Sequence, residues 1–518
     1  MNSSPESNGH SARFPSDAHT IIGQGDGTVS TPASPQGSTF AATAADAAVV
    51  PPEHPFRTLV LCFDGTGDQF DADNSNIVQL FSMLPKADRT KQMVYYQAGI
   101  GTYTTPEIAT PFMSKISKSV DEAIAWNLDA HVMGGYEFLM QNYTANDRIC
   151  IFGFSRGAYT ARSLAGMLHK VGLLPACNHQ QIPFAYKMYT SDDETGWKQS
   201  NAFKKAFSID VDIEFIGVWD TVNSVGLIPK RLPFTTSNTI VRTFRHAVSL
   251  DERRAKFKPN LWNRPNSHEA KLGISEHKRK HPVKKMSQHR MEMKYTKDST
   301  QPTDIDEVWF VGCHCDVGGG SVDNDTPHTL ARIPLRWMVR ECFKTNSGIM
   351  FDADGLRGIG LDPDALYPFV KPRPPALPLA GARIRSLKSD TMPPQPAPQP
   401  QVQTLAHYAD GEPASPTPPG AASKTEEELD LADALSPIYD QLSLAWFWWI
   451  LELLPLKQRY QRGDNTWASY FGWNMGRGRF IPKQKQNGVR VHRSVKDRME
   501  AGYEPKAKFD LARVTWVD

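Results

Sequence analysis

Runs of apolar residues along the chain predict five buried strands, at residues 58–63, 92–98, 149–152, 211–219 and 307–312. Continuous rather than alternating apolar character is typical of strands in a parallel sheet, because both faces of such a sheet are covered. Between these strands and after the last of them, apolar residues at helical spacing predict helices at 76–84, 116–141, 158–168, 243–257 and 326–343. Pro334 should kink the last helix or reset its start. The alternation predicts an α/β fold with a mostly parallel sheet and helices on both faces.

Composition divides the chain into ordered and disordered parts. Residues 1–55 are rich in Ser, Ala, Gly, Pro and Thr, and residues 370–425 are dense in Pro, Ala, Ser and Gln. Both segments are predicted to be disordered, because they contain too few apolar side chains to offset the entropy of ordering. We expect a core at 56–369 that carries a basic surface insertion at 264–303. Residues 426–518 are predicted to complete the same domain as a C-terminal lid or helical part.

The segment Arg148–Arg162 (RICIFGFSRGAYTAR) contains the strongest catalytic signal. A strand runs directly into Gly-Phe-Ser-Arg-Gly and then into a helical pattern, which predicts a nucleophile elbow at Ser155. Gly153 and Gly157 flank the serine because so sharp a turn leaves no room for a Cβ atom. The free backbone N–H at Arg156, at the helix N-terminus, could then bind an oxyanion. The structural alternative is a glycine-containing turn with an ordinary serine.

Two further strands end in residues that could complete a catalytic triad. Asp220 follows the strand at 211–219, and His314 follows the strand at 307–312. The chain order Ser, Asp, His is that of α/β hydrolases, so we predict Asp220 as the acid and His314 as the base. Asp220 could instead cap a helix or form a turn, and a lone histidine is often structural. Asp316 is a competing acid or a supporting partner, and His492 is a reserve base.

The first strand ends in Asp64-Gly65-Thr66-Gly67. Ligands in α/β folds bind at the carboxyl ends of parallel strands, so Asp64 is a candidate functional carboxylate. An Asp-Gly pair is also a common turn former, and both interpretations stay open. The backbone N–H groups of Gly65 and Thr66 are candidates for the second oxyanion donor.

Three segments have more than one interpretation. The polar residues of 243–257, Asp251–Arg254 among them, are predicted to form a solvated or ion-paired helix face, unless a buried arginine braces the site. The aromatic-rich run within 436–456 suits a lid or an interfacial helix at 441–456, and packing against the core is equally compatible. The basic cluster at 277–285 could be a nuclear address or could bind anionic lipid, although a solvated loop is the ordinary explanation.

Composition limits the remaining classes of function. The formal net charge of +2 disfavours a nucleic-acid-binding protein. The six cysteines lack paired zinc spacing, which predicts reduced thiols and no metal, and we expect no cofactor. Asp64 and Asp316 give only a weak cation signal. The N-terminus lacks a signal peptide pattern, and the run at 436–456 is shorter than a membrane span. We therefore expect an intracellular protein that is cytoplasmic or peripherally bound to a membrane.

Six motifs together resemble one known family. They are LVLCFDGTGD, GFSRGAYTAR, GVWDTV, HAVSLDERRAKFKPNLW, WFVGCHCDVGGG and VHRSVKDRM. In order and content they resemble the domain of type VI secretion phospholipase effectors of the Tle type and their fungal and bacterial relatives, over roughly 57–499. The resemblance implies an α/β-hydrolase fold and serine esterase chemistry. It places the nucleophile at Ser155, the acid at Asp220 and the base at His314. The long N-terminal tail and Pro-rich insertion are more typical of an intracellular eukaryotic relative than of a bacterial effector.

The sequence therefore supports a cofactor-independent serine hydrolase of carboxylic esters, for which the resemblance implies phospholipid acyl esters. Membrane contact would be made by 441–456 or by 277–285. The alternative is a hydrolase-like scaffold without turnover that binds partners or a membrane. A third possibility keeps the enzyme and changes the scissile bond to an amide or thioester.

Overall fold

A computed structural model of the chain describes nine segments, which are 49–53, 55–100, 113–222, 232–262, residue 292, 302–387, 424–461, 467–482 and 484–518. The basic cluster at 277–285 and nearly all of the predicted insertion at 264–303 lie outside the described residues. The same is true of most of the predicted tail at 1–55 and of residues 388–423.

The strands of the described chain form one large sheet and two small ones. In chain order they are β1 Val49–Val50, β2 Thr58–Phe63, β3 Gln92–Gln97, β4 Arg148–Phe154, β5 Ile213–Trp219, β6 Val241–Ser249, β7 Asp304–Phe310, β8 Phe351–Asp352, β9 Leu456–Gln461, β10 Trp467–Gly472, β11 Val489–His492 and β12 Val514–Val517. The large sheet has the order β12-β11-β7-β6-β5-β4-β2-β3. All of its strand pairs are parallel. The predicted α/β class with a mostly parallel sheet is confirmed.

Helices cover both faces of this sheet. In chain order they are α1 Asn76–Ser82, α2 Met113–Asn142, α3 Ser155–Val171, α4 Ile182–Thr190, α5 Glu194–Phe207, α6 His314–Gly318, α7 Arg332–Lys344, α8 Ala353–Gly358, α9 Glu426–Ala434, α10 Gln441–Leu444, α11 Trp448–Glu452, α12 Gln484–Asn487 and α13 Arg493–Glu500. Alternate residues of the central strands enter two different cores. Leu61 and Ile151 pack with α2, α3 and α4, whereas Cys62 and Phe152 pack with α1 and α7.

Strand order and register bring the predicted site residues to one edge of the sheet. The chain reverses direction across the sheet between β2 and β4, because β3 lies on one side of β2 and all later strands lie on the other. Such a switch point is where open α/β sheets bind ligands. Phe63 of β2 pairs with Gly153 of β4, and Phe154 of β4 pairs with Trp219 of β5. The residues that follow these strands therefore start from neighbouring positions.

The prediction of a helix over 243–257 is wrong. Residues Val241–Ser249 form β6 in the middle of the sheet, followed by a loop. Because both faces of β6 are covered, its apolar residues do not alternate, and their spacing imitated a helix. Two polar residues in this strand are paired. Arg245 binds Glu341, and the ring of His246 lies 3.0 Å from Glu307. Two further helices, α4 and α5, lie between α3 and β5, in a stretch for which no element is predicted from the sequence.

Several predicted boundaries shift. Val49–Val50, inside the predicted disordered tail, forms β1 and pairs with β8. Arg373, inside the predicted Pro-rich insertion, has a side chain that is only 5% exposed and donates to Asp430 at 2.8 Å. The predicted helix at 326–343 begins only at Arg332, so Pro334 stands in its first turn, where a proline is tolerated. The run at 436–456 forms the short helices α10 and α11 rather than one long helix.

Candidate active site

The strand–turn–helix predicted around Ser155 is present. β4 ends at Phe154 and α3 begins at Ser155, whose φ of 58° lies in the left-handed region. A Cβ on Gly153 would lie 2.5 Å from the carbonyl oxygen of Gly157, and a Cβ on Gly157 would lie 2.3 Å from the carbonyl oxygens of Phe63 and Asp64. Only glycine fits at either position, so the two glycines permit the turn that places the serine at the edge of the sheet.

Ser155, His314 and Asp220 form one hydrogen-bonded chain. His314 Nε2 lies 2.7 Å from Ser155 Oγ, and His314 Nδ1 lies 2.5 Å from Asp220 Oδ2. All three side chains are buried. The carboxylate fixes the proton on Nδ1, so Nε2 is left as an acceptor facing the serine hydroxyl. The three residues that sequence reasoning selected are thus brought together, with the geometry that serine nucleophile activation requires.

The ring of His314 contacts two aromatic rings. Phe154 and Phe257 have ring centroids 4.8 and 4.9 Å from that of His314. Burial lowers the pKa of His314 below its ordinary value of 6.5, against the opposing effect of Asp220. Asp220 has a pKa below its ordinary range: burial would raise it, but the Arg479 guanidinium and His314 outweigh burial. At neutral pH the pair is therefore a neutral imidazole beside an ionised carboxylate.

Asp251, Glu252 and Arg254, which follow β6, are buried rather than solvated. Asp251 accepts hydrogen bonds from the Gly312 N–H at 2.7 Å and from the Tyr503 hydroxyl at 2.5 Å. Glu252 binds the guanidinium of Arg254 and accepts a 3.3 Å hydrogen bond from the His314 N–H. This loop therefore braces both sides of the segment that carries the histidine.

The candidate oxyanion donors differ in whether they already donate a hydrogen bond within the protein. Arg156 stands in the first turn of α3, where backbone N–H groups have no intrahelical acceptor, and no side chain of the described residues caps this helix. The Gly65 N–H, in contrast, donates to Asp64 Oδ1 at 2.8 Å, so it is not free for an oxyanion and that expectation needs correction. Beside it, the Thr66 hydroxyl is buried without a hydrogen-bond partner in the described part of the chain.

The three secondary candidates lie outside the hydrogen-bonded chain. Asp64 accepts from the Ser75 and Tyr96 hydroxyls at 2.6 and 2.8 Å, and burial raises its pKa. Asp64 thereby holds the turn after β2.

Asp316 accepts from the backbone N–H groups of Cys313 and Tyr439 at 2.8 and 3.0 Å and so caps α6, and burial raises its pKa to about 7. The ring of His492 stacks on Phe310, and its Nδ1 is 2.9 Å from the Ser494 hydroxyl. Burial lowers the pKa of His492 to about 3. Asp316 and His492 are thus held by partners other than Ser155.

Sequence reasoning missed Arg479. Its guanidinium binds both oxygens of Asp220, with Nη1 at 2.5 Å from Oδ1 and Nη2 at 2.9 Å from Oδ2. The residue comes from the loop after β10, 259 positions along the chain from Asp220. No local pattern marks it, and the only signal was the absence of an assigned partner for a buried acid.

The run at 436–456 exposes much of its apolar surface. Trp446 is 77% exposed, and Phe471 in the neighbouring hairpin is 76% exposed. We define the apolar face as the exposed side chains Trp446, Phe447, Ile450, Leu453, Leu454, Phe471, Trp473 and Met475. Its two halves are joined by Glu452, whose carboxylate accepts from the Asn474 side chain and the Gly476 N–H. On its inner side, Trp448 has its ring centroid 5.7 Å from that of Phe257.

The described residues contain neither a helix that could span a membrane nor a cluster of metal-ligand side chains. None of the helices combines the length and apolar character needed to cross a membrane. Within the same segments, no three His, Cys, Asp or Glu side chains are grouped so that they could hold a metal ion.

Comparison with known proteins gives one family. The model of the family described as T6SS, phospholipase effector Tle1-like, catalytic domain matches residues 57–341. A curated relative is the uncharacterized protein YEL023C of Saccharomyces cerevisiae, which is 28% identical over an alignment of 598 residues that covers 92% of this chain and 84% of the relative.

Two solved structures are distantly similar. An uncharacterized Pseudomonas aeruginosa protein is 18% identical, with a TM-score of 0.31 and coverage of 57% of this chain and 46% of that one. A Tle1 effector bound to the VgrG spike of the type 6 secretion system is 18% identical, with a TM-score of 0.25 and coverage of 51% of this chain and 52% of that one. The chain thus spans about half the length of either.

Proposed function

Because the chain belongs to the family of T6SS Tle1-like phospholipase effector catalytic domains, we propose that it is a serine hydrolase that cleaves carboxylic esters, with phospholipid acyl esters as its substrates. The observation that carries the proposal is the hydrogen-bonded chain from Ser155 through His314 to Asp220. The family supports a lipid hydrolase in general terms. The residue roles and the scissile bond are our proposal.

In the proposed first half-reaction, Ser155 Oγ attacks the ester carbonyl carbon while its proton passes to His314 Nε2, 2.7 Å away. The imidazolium that forms is stabilised by Asp220, which stays ionised. The carbonyl π electrons move to oxygen, and this oxyanion is bound by the backbone N–H of Arg156 at the N-terminus of α3. The backbone N–H of Thr66 is the second donor, because the Gly65 N–H donates to Asp64 instead.

Collapse of the tetrahedral intermediate then breaks the bond to the alcohol. His314 gives its proton to the leaving alkoxide oxygen, which departs as lysophospholipid or another alcohol, and an acyl-Ser155 ester remains. Water attacks this ester with His314 again as base, and the fatty acid leaves as Ser155 regains its proton. No cofactor is needed, because every proton in the cycle passes through His314.

We further propose that the apolar face contacts the lipid surface that holds the substrate. Indole and phenyl side chains suit a membrane interface, since one side is apolar and the other is wet. The position of the apolar face supports this proposal, because α11 connects the face to the candidate site. Ile450 of α11 belongs to the face, whereas Trp448 on the inner side of α11 packs on Phe257, which packs on His314. A bilayer bound there would lie next to the candidate triad.

The proposed activity is tested by assaying the purified chain against phospholipids, neutral esters, amides and thioesters, beside Ser155→Ala. We expect release of fatty acid from phospholipids and loss of turnover by a factor of about 10⁴ or more in the variant. Ser163→Ala is the matched control, because Ser163 is a buried serine of the same helix whose hydroxyl donates to the Tyr159 carbonyl at 2.7 Å.

The panel also separates the alternatives. Full activity in Ser155→Ala would refute the proposed nucleophile. Amide or thioester cleavage without ester cleavage would keep the nucleophile and change the substrate class. Absence of turnover on every substrate, together with vesicle binding through the apolar face, would favour the scaffold interpretation.

A further inference from the structure

The candidate acid is held by more than the histidine it serves. Asp220 is completely buried, and its backbone φ of 39° lies in the left-handed region. Its Oδ1 accepts from the Ser249 N–H at 2.9 Å and from Arg479 Nη1 at 2.5 Å. Its Oδ2 accepts from His314 Nδ1 at 2.5 Å and from Arg479 Nη2 at 2.9 Å. Both oxygens are thus fixed, and the plane of the carboxylate is set by the guanidinium.

Arg479 is itself fully committed at this place. Its Nε and Nη2 donate to the Phe257 carbonyl at 3.1 and 2.6 Å, and its Nη1 donates to the Ser249 hydroxyl at 2.7 Å. The planar fork of an arginine matches a carboxylate with two parallel hydrogen bonds, which a lysine cannot reproduce. The side chain is 1% exposed and is therefore unlike a surface ion pair, which solvent would screen.

We infer that Arg479 is a positioning residue of the proposed hydrolase, which orients the Asp220 carboxylate toward His314 and sets the basicity of the Asp220–His314 pair. The inference rests on the proposed function and extends it to a residue beyond 57–341, the segment that matches the family model. The C-terminal part of the chain thus supplies a residue of the site in addition to the apolar face.

The charge of Arg479 has a definite consequence. A carboxylate that shares its charge with a guanidinium stabilises a neighbouring imidazolium less than an isolated carboxylate does. Removing the positive charge therefore favours protonated His314 and moves the acid limb of the kcat/KM profile to higher pH. Replacing Arg479 with lysine keeps the charge, so that limb stays in place while the fork is lost.

The test is steady-state hydrolysis of a soluble short-chain p-nitrophenyl ester by the full chain as a function of pH. For Arg479→Gln we expect kcat to fall by about 10- to 100-fold with KM within about twofold, because Arg479 orients the triad without touching substrate. The midpoint of the acid limb of the kcat/KM profile should move to a pH higher by about half a unit or more. Arg479→Lys should lose kcat to a smaller extent and keep the wild-type limb.

Arg490→Gln is the matched control. Arg490 makes another bidentate pair from the C-terminal part to the core, with Asp306 at 2.5 and 2.9 Å, at a different place on the sheet. We expect it to leave kcat and the pH profile unchanged. If Arg479→Gln does not fold, Arg479→Lys decides alone, and wild-type kcat in that variant would overturn the need for the fork.

Two results separate this inference from the proposed function. Suppose that the wild-type protein hydrolyses the ester and reacts with a fluorophosphonate. If the folded Arg479→Gln variant then has the wild-type kcat and an acid limb at the wild-type pH, only the role of Arg479 is overturned. Equal losses in Arg479→Gln and Arg490→Gln without a pH shift would also overturn that role, because they would indicate a structural role. A wild-type protein that neither hydrolyses esters nor reacts with the probe would overturn the proposed function and this inference with it.

Discussion

At the scale of residues, the candidate site is a buried charge network arranged around one imidazole. His314 touches Ser155 and Asp220 through its side chain and Glu252 through its backbone N–H. Both carboxylates are compensated by arginines, Arg479 for Asp220 and Arg254 for Glu252. Because every charge has a partner, the network can stay out of water, and the imidazole remains neutral until it receives the serine proton.

Asp220→Asn tests this network in activity and in stability. The amide cannot stabilise an imidazolium or enforce the same tautomer, so kcat on phospholipid should fall by a factor of about 10⁴. Arg479 would lose its counter-ion in a buried place, which should cost about 3–5 kcal/mol of unfolding free energy. Urea denaturation and initial rates measure both effects. A fully active variant of wild-type stability would contradict the roles of both residues.

The pH dependence of turnover follows from the lowered pKa of His314. The histidine must be neutral to accept a proton, and burial keeps its pKa below 6.5. We therefore expect kcat/KM to be fully developed at pH 7 and to be lost only as pH falls through a midpoint below 6.5. Asp220 stays ionised throughout this range. An acid midpoint above pH 7, measured on a soluble ester, would contradict this account of the imidazole.

At the scale of elements, the turn from β4 to α3 is held by contacts with the segments that follow β2 and β5. Gly157 lies against the carbonyl oxygens at the end of β2, and the Val222 N–H donates to the Ser155 carbonyl at 3.4 Å. The turn is thereby wedged between the segments that follow the strands on either side. Its geometry was predictable from local sequence, because an apolar strand, a serine flanked by two glycines and a helical pattern follow one another directly.

Gly157→Ala should disrupt this turn. The new Cβ would meet two backbone oxygens at 2.3 Å, which cannot move without shifting β2, so we expect a loss of about 1–3 kcal/mol or more. Fluorophosphonate labelling of Ser155 should fall with it. Gly358→Ala is the control, because a Cβ there meets no atom of the described segments within 4 Å. Equal melting temperatures and labelling rates for the two variants would argue against a wedged turn.

The apolar face makes a separate prediction at this scale. Trp446→Ser removes a large exposed side chain, and vesicle affinity should fall by about tenfold, which corresponds to partial burial of an indole in the interface. Hydrolysis of a soluble ester should not change. Phe369→Ser, at an aromatic residue that is 83% exposed outside the face, is the matched control. Co-sedimentation with phosphatidylcholine vesicles measures the difference, and equal binding by both variants would exclude the face as the contact.

At the scale of the whole molecule, the C-terminal part is fastened to the core by buried ion pairs. Arg336 of α7 binds Asp430 and Asp433 of α9, both at 2.6 Å. Arg373 donates to the same Asp430, so two arginines and two aspartates form one cluster. The cluster attaches α9, the first helix after the Pro-rich segment, to the core. Arg479 and the apolar face come later in the same C-terminal part of the chain.

Arg336→Met tests this attachment. Methionine fills a similar volume but leaves two buried carboxylates with less compensation, so we expect a loss of about 3–5 kcal/mol in unfolding free energy. Arg357→Met is the control, because its exposed pair with Asp354 should contribute about 0–1 kcal/mol. Guanidinium denaturation compares the two variants, and similar midpoints would mean that the buried cluster does not hold the C-terminal part.

The sequence predicted five of the eight strands of the large sheet, which are β2, β3, β4, β5 and β7, together with the Asp, Ser and His residues that follow them, because continuous apolar runs and the residues at their ends are local features. It could not predict Arg479, whose meaning depends on an acid 259 positions away. It misassigned β6, because the apolar residues of this strand do not alternate and the polar residues of 243–257 suggested a solvated helix face, whereas Arg245 and His246 pair with Glu341 and Glu307 inside the protein. Long-range charge pairing was therefore the part that a single sequence did not reveal.

Ser155 is tested most directly as the nucleophile by treating the purified chain with a fluorophosphonate and mapping the modified residue by peptide mass spectrometry. We expect a single stoichiometric adduct on Ser155, because only a serine activated by a neighbouring imidazole reacts readily. The adduct should be absent in His314→Ala. An unmodified Ser155 in the folded wild-type protein, or a modification on another serine, would contradict the proposal that Ser155 is the nucleophile activated by His314.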